Sequence, residues 1–218
     1  MDEYYTNPNV SKKLCFLISK KIKINFEKDL IIEPSAGNGS FIQPIKHMCQ
    51  NCLFFDINPK TKEIQKKDYL ALNLYQLKNK YKKIHIIGNP PFGKRSSLAI
   101  KFIKKSSEIC DTISFILPKS FGKESMKQSV PLSFHLIYSC LIPSQSFQNE
   151  NKIVDVPCIF QIWKKKKYLR RIVKKIYLNG FKFLKNHKQA DFAIRRVGFY
   201  AGKIFTLNLN KKNKKVIN

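Results

Sequence analysis

Between Lys83 and Ser97 the chain reads KIHIIGNPPFGKRSS, and its chemistry gathers where the β-branched run stops. Asn89-Pro90-Pro91-Phe92 sets a side-chain amide oxygen beside the backbone carbonyl of Pro90, and the two prolines hold that carbonyl's direction by locking φ. Two such acceptors suit a planar NH2 group, one for each N–H, and Phe92 adds a ring face on which a planar guest can stack. A rigid turn closing a strand explains the prolines. It does not explain an amide and an aromatic on either side of them. Two more places carry residues of the ligand-binding type. Gly37 and Gly39, in EPSAGNGSF, remove side chains where a backbone approaches a ligand, and Asp56 ends the apolar run CLFFD in a chain with only 14 acids.

These residues need elements to position them. Val10, Leu14, Leu17, Ile18 and Ile22 recur at helical spacing over 8–22. DLIIE is an apolar strand that breaks into the glycine turn, after which Phe41, Ile45 and Met48 continue at helical spacing. CLFFDIN predicts a second strand and KDYLAL an irregular connection around Asp68. The 11 residues between Asp56 and Asp68 are too few for a full crossover helix. KKIHIIGN is the next strand, SSLAIKFIKKSSEI a helix capped by Ser96 or Ser97, and DTISFILP a further strand. FHLIYSCLIP and VPCIFQIW predict an antiparallel pair at the sheet edge. Strand, glycine turn, helix, repeated, predicts an α/β chain with a doubly wound, Rossmann-like sheet and ligands at the carboxyl ends of the strands.

In their order, EPSAGNGSF, DIN, KDYL and GNPPFG resemble the class I S-adenosylmethionine-dependent methyltransferases, and within them the amino-methyltransferases with an N/D-P-P-F/Y motif after the fourth strand. The resemblance covers about residues 4–163. It implies S-adenosyl-L-methionine as cofactor and no metal. It also implies that Glu33, Pro34, Ser35, Gly37, Gly39 and Phe41 cradle the methionine portion, and that Asp56 and Ile57 hold the ribose and adenine edge. Asp68 and Tyr69 would meet the adenine, and Thr6, in YYTNPNV, would close over the cofactor. Asn89, Pro90, Pro91 and Phe92 would be catalytic: an amine whose lone pair is delocalised into a ring must be held pyramidal, and the Asn89 oxygen and Pro90 carbonyl can do that. Asn89 also borders the cofactor. Lys94, Arg95, Lys119, Phe121 and Phe147 are the expected contacts to the substrate beyond the motif.

The motif serves several acceptors in that family, namely adenine N6, guanine N2 in ribosomal RNA and the glutamine amide of proteins. Charge separates them. Lys and Arg number 42 against 14 acids, a net +28, which asks for an anionic partner. Charge thus favours a nucleobase over a protein; between the two bases the resemblance alone, through the family's more frequent acceptor, implies adenine N6 in DNA or RNA, and an unpaired base is cheaper to reach than a stacked one. A catalytically silent relative that only binds nucleic acid is the competing expectation. The basic residues crowd the end of the chain. Residues 164–218 hold 18 of them and one acid, Asp191, which predicts a methyltransferase domain over 1–163 and a basic accessory segment over 164–218 ending in a disordered NKKNKK tail. Those 55 residues are too few for a large target-recognition domain, so target choice falls to weak selectivity, a protein partner or a structured RNA. The acidic, polar start and the short apolar runs predict a soluble cytoplasmic protein without a membrane span. Six cysteines in such a chain are expected as thiols, Cys49 and Cys52 included.

Overall fold

The computed structural model describes residues 4–149, 152–172, 180, 182–184 and 189–206. Much of the interleaved basic and aromatic stretch 170–183, and the 210–215 tail, lie outside them. The chain divides into two compact units, 1–173 and 174–218. Composition changes at Lys164, whereas Arg170 still belongs to the first unit: its guanidinium donates to the carbonyls of Phe134, Lys127 and Val130.

The first unit opens with a short strand, β1 (Tyr5–Thr6), and helix α1 (Pro8–Lys21). Asn7 caps α1 through a bond from the Asn9 N–H, with Pro8 at the first position, where a missing N–H costs nothing. There follow β2 (Leu30–Glu33), α2 (Ile42–Lys46), β3 (Cys52–Asp56), β4 (Gln65–Lys66), α3 (Leu77–Lys80) and β5 (Ile84–Gly88). After these come α4 (Ser97–Ser107), β6 (Thr112–Pro118), α5 (Glu124–Lys127), β7 (Phe134–Leu141), β8 (Phe147–Asn149), β9 (Lys152–Val154) and β10 (Cys158–Lys165). In the second unit, β11 (Phe192–Ile194) and β12 (Ile204–Thr206) form an antiparallel pair.

Seven strands make the main sheet in the order β4-β3-β2-β5-β6-β10-β7. The first five run parallel, and β10 is antiparallel to both β6 and β7. This is the doubly wound α/β sheet with an antiparallel edge. The two runs expected as an edge pair are indeed neighbours, with the later one, β10, inserted inside β7. Cores lie on both faces: Ile32 and Ile86 point to one cluster, Ile31 and Ile87 to the other. Burial on both faces is why these strands read as unbroken apolar runs. His85, the polar interruption in β5, is satisfied by Thr112 at 2.8 Å and Asp29 at 3.2 Å, and burial pushes its pKa down.

The expected cap of α4 is corrected in detail. Ser96 occupies the cap position, but in a left-handed conformation (φ 62°) with no side-chain cap bond. Gly93 and Arg95 also have positive φ, and the Phe92 carbonyl instead accepts from the N–H groups of Leu98 and Ala99. No helix among the described residues is long and apolar enough to cross a membrane.

Candidate active site

Glu33, Asp56 and Gly88 are the last residues of three adjacent parallel strands, so Glu33, Asp56 and Asn89 meet at one carboxyl edge of the sheet. The glycine turn after β2 is tied across to β3: the Ala36 N–H donates to the Phe55 carbonyl and the Gly37 N–H to Asp56 Oδ2, at 2.9 and 2.8 Å. Asp56 Oδ1 takes the Asn58 N–H at 2.8 Å. Each carboxylate oxygen keeps a second lone pair, so Asp56 can organise the loop and still accept from a ligand's hydroxyls. Ile57 beside it is 69% exposed, an apolar side chain open to solvent.

Gly37 sits at φ 52°, and a Cβ there would lie 2.9 Å from Cε1 of Tyr5. The turn thus needs glycine for both its backbone and its neighbour. Gly37→Ala is expected to cost about 1–2 kcal/mol in urea unfolding from the backbone alone, before any displacement of Tyr5.

Glu33 is 1% exposed, and its Oε2 has no hydrogen-bond partner. Burial, and then the neighbouring Asp56 charge, hold its carboxyl well above the ordinary carboxylate range. The same environment acts on Cys15 of α1, whose thiol is pushed up to about 12 by burial and by Glu33. Cys52 and Cys158 are likewise raised to about 12, chiefly by burial. These three thiols are expected to resist iodoacetamide at pH 8 in the native chain and to react after denaturation, as read by mass spectrometry.

Asn89 is the best-defined residue of the edge. Its Nδ2 donates to the Tyr4 carbonyl and to Thr6 Oγ1, both at 3.3 Å. A carbonyl can only accept, so the atom facing Tyr4 is the amide nitrogen and the orientation is settled. Oδ1 then points away from both, buried and without a partner. The Asn89 carbonyl accepts from Ser35 Oγ at 3.1 Å, which joins the proline turn to the glycine turn. Pro34 and Pro90 are buried, and Pro91 and Phe92 are half-buried, with the Phe92 ring packed against both core clusters.

The structure brings Thr6, Glu33, Ser35, Gly37, Asp56 and Asn89 together by direct contacts or strand position. Other expected residues serve elsewhere. Phe41 is in the core beneath α2, and Phe121 and Phe147 are at most 1% exposed, so none of the three offers a ring face to a ligand. Tyr69 is 1% exposed, stacked on Phe102 at 5.7 Å with its hydroxyl 3.1 Å from Ser106 Oγ. Tyr69→Phe should cost about 1 kcal/mol by loss of that bond and leave ligand affinity at the crevice unchanged in calorimetry. Asp68 is exposed and caps its own turn through the Leu70 N–H. Gly39 (φ 82°) closes the glycine turn toward α2, and Lys94, Arg95 and Lys119 are exposed. The sequence reading missed Tyr4 and Tyr5. Their role rests on a main-chain carbonyl and a ring edge over a glycine, and neither has a sequence signature.

No family model matches the chain, and no curated protein matches it by sequence. Solved structures do match. A proposed RNA methyltransferase from Pyrococcus horikoshii superposes with a TM-score of 0.54 at 18% identity, covering 75% of this chain and 86% of that one. The 23S rRNA methyltransferase ErmE gives 0.53 at 9% identity over 79% and 73%. A proposed class I S-adenosylmethionine-dependent methyltransferase from Listeria monocytogenes gives 0.53 at 13% identity over 78% and 62%. The fold is that of the class I S-adenosylmethionine-dependent methyltransferases. In a methyltransferase fold of this kind, as in open α/β sheets generally, the crevice outside the carboxyl ends of the strands is where a ligand binds, and it is there that Glu33, Asp56 and Asn89 converge.

Proposed function

We propose that the protein transfers a methyl group from S-adenosyl-L-methionine to an exocyclic amine of a nucleobase, adenine N6 in DNA or RNA. The observation that carries this reading is Asn89: its amide is anchored through Nδ2, which leaves Oδ1 a buried acceptor without a partner, next to Pro90 and the Phe92 ring. An unpaired buried acceptor costs about 1–3 kcal/mol, and a ligand N–H would relieve it.

The crevice fits the cofactor on three counts. Buried Glu33 suits a cationic ammonium held through the glycine-turn backbone or a water, Asp56 keeps free lone pairs for ribose hydroxyls, and exposed Ile57 offers an apolar surface to adenine. When bound, S-adenosyl-L-methionine supplies an electrophilic methyl on a sulfonium. The chain's own residues prepare the acceptor. Asn89 Oδ1 takes one N–H of the amine, the Pro90 carbonyl takes the other, and the nitrogen lone pair is turned out of conjugation. Phe92 steadies the base by its ring. No general base is needed, since the amine's extra proton leaves to solvent after transfer.

A net charge of +28 supports a nucleic acid over a protein acceptor. So does the fold shared with the 23S rRNA methyltransferase ErmE. We assign the catalytic residues to 1–163 and added affinity to the basic segment after it. The test is incubation with methyl-labelled cofactor and, separately, DNA, ribosomal, transfer and messenger RNA, followed by nucleoside analysis. Label in N6-methyladenine is expected. Label in N2-methylguanine overturns the choice of base, label in protein overturns the nucleic-acid reading, and absence of cofactor binding in calorimetry favours a silent binding protein.

A further inference from the structure

Helices α1 and α2 border a groove of about 1060 Å3, at the top of the ~300–1,000 Å3 span of small-ligand pockets. Residues Ser11, Leu14, Cys15 and Ile18 form the buried stripe of α1, and Phe16 stands off it. Phe16 is 61% exposed and Phe26 49%, two aromatic rings on one groove that the core does not use. Lys12, Lys23 and His47 line the same groove, and no carboxylate does among the described residues. Lys20 holds its ammonium 5.2 Å from the centre of the Phe16 ring. One end of the groove reaches Gly39 and Ser40 of the glycine turn, and Pro8 also lines it. Thr6, which takes the Asn89 amide N–H, is two residues before Pro8. The groove therefore runs up to the glycine turn of the crevice, and Pro8 on it stands two residues from the Thr6–Asn89 contact.

We propose that this groove is the docking track for a single-stranded polynucleotide flanking the target base, with bases stacked on Phe16 and Phe26 and phosphates met by Lys12 and Lys23. The proposal rests on the nucleic-acid reading of the active site. Two observations select the occupant. A second copy of the chain would itself carry +28, so self-docking here sets like charges face to face. Exposed ring faces interleaved with lysines are the combination by which single strands are held without sequence reading, the cations tracking the backbone and the rings accepting any base.

The test uses the full chain and fluorescein-labelled 20-nucleotide single strands, one RNA and one DNA, followed by anisotropy across a salt series without cofactor. Phe16→Ala with Phe26→Ala is expected to weaken binding at least about 30-fold. Lys12→Ala with Lys23→Ala should reduce the salt slope by about 1.4. Exposed Lys101 and Lys104 of α4 provide a charge-matched control, and Lys101→Ala with Lys104→Ala is expected to change affinity less than about twofold. Photocrosslinking of thiouridine-containing RNA to the unaltered chain gives a readout independent of variant folding, with adducts expected on α1 and at Phe26. If the unaltered chain binds neither strand, the nucleic-acid reading of the active site falls together with the groove. If it binds and the ring variant binds equally well, or the α4 control weakens as much, or adducts lie only elsewhere, the groove assignment alone is overturned.

Discussion

Asn89→Ala lowers the rate of methyl transfer by about 10²–10³-fold, the range seen when one preorganised polar group is taken from a transition state, while the Kd for S-adenosyl-L-methionine changes by less than about threefold. The split follows from where the side chain's bonds go. Nδ2 is spent on the Tyr4 carbonyl and Thr6 Oγ1, within the chain, and Oδ1 is held for the substrate. Removing the amide deletes the acceptor without touching Glu33 or Asp56. Asn89→Asp is a sharper probe. It keeps an oxygen but loses the N–H donor, so a carboxylate oxygen faces the Tyr4 carbonyl and the side chain swings off its anchor; transfer falls here too. Single-turnover rates with quenched-flow sampling, set beside calorimetric cofactor affinity, check both variants. Transfer at the original rate in Asn89→Ala would exclude the proposed mechanism.

Glu33→Gln has two effects of opposite sign. The unfolded chain ionises this carboxyl near 4.5, whereas in the fold burial, and secondarily the Asp56 charge, keep it protonated to higher pH. Above the unfolded value the native state therefore holds the extra proton, so stability falls as pH rises through the folded pKa and then levels off. The amide cannot ionise, and this loss disappears. Glu33→Gln is expected to melt higher than the parent at neutral pH, with the gap closing as pH falls below about 4. Cofactor affinity moves the other way. A bound ammonium draws the proton off the buried carboxyl and pairs with the carboxylate, whereas an amide cannot take up that charge, a loss of about 1.5–3 kcal/mol, or roughly 10- to 100-fold in Kd. Thermal melts from pH 4 to 8 with and without S-adenosyl-L-methionine measure both. A variant of unchanged cofactor affinity would remove Glu33 from the site.

The strands that carry the crevice are legible because burial on two faces leaves no choice but apolar runs, and their ends are marked where Glu33, Asp56 and Gly88 interrupt them. Proline pairs and glycines mark backbone geometry directly, which is why the turns at 34–39 and 89–93 could be placed. Aromatic rings are different. Phe92, Tyr69, Phe121 and Phe147 are the same kind of residue in the sequence, but Phe92 is half-buried at the crevice and the other three fill the core. What separates them is the neighbour each strand finds in space, and hydrophobicity is blind to that. The anchor of Asn89 was illegible for a related reason: it uses the main-chain carbonyl of a residue 85 positions earlier, and every residue has such a carbonyl.

The insertion of β10 between β6 and β7 also bears on how the chain acquires its fold during synthesis. Strand β7 leaves the ribosome before the only strand that joins it to the main sheet among the described residues, and β6 keeps an open edge until residues 158–165 arrive. Both edges are apolar and hydrogen-bond competent in that interval, the condition under which nascent chains pair wrongly or recruit chaperones. Chains released short of Cys158 should therefore aggregate although they contain every proposed catalytic residue, and chains released after Arg170 should stay in solution.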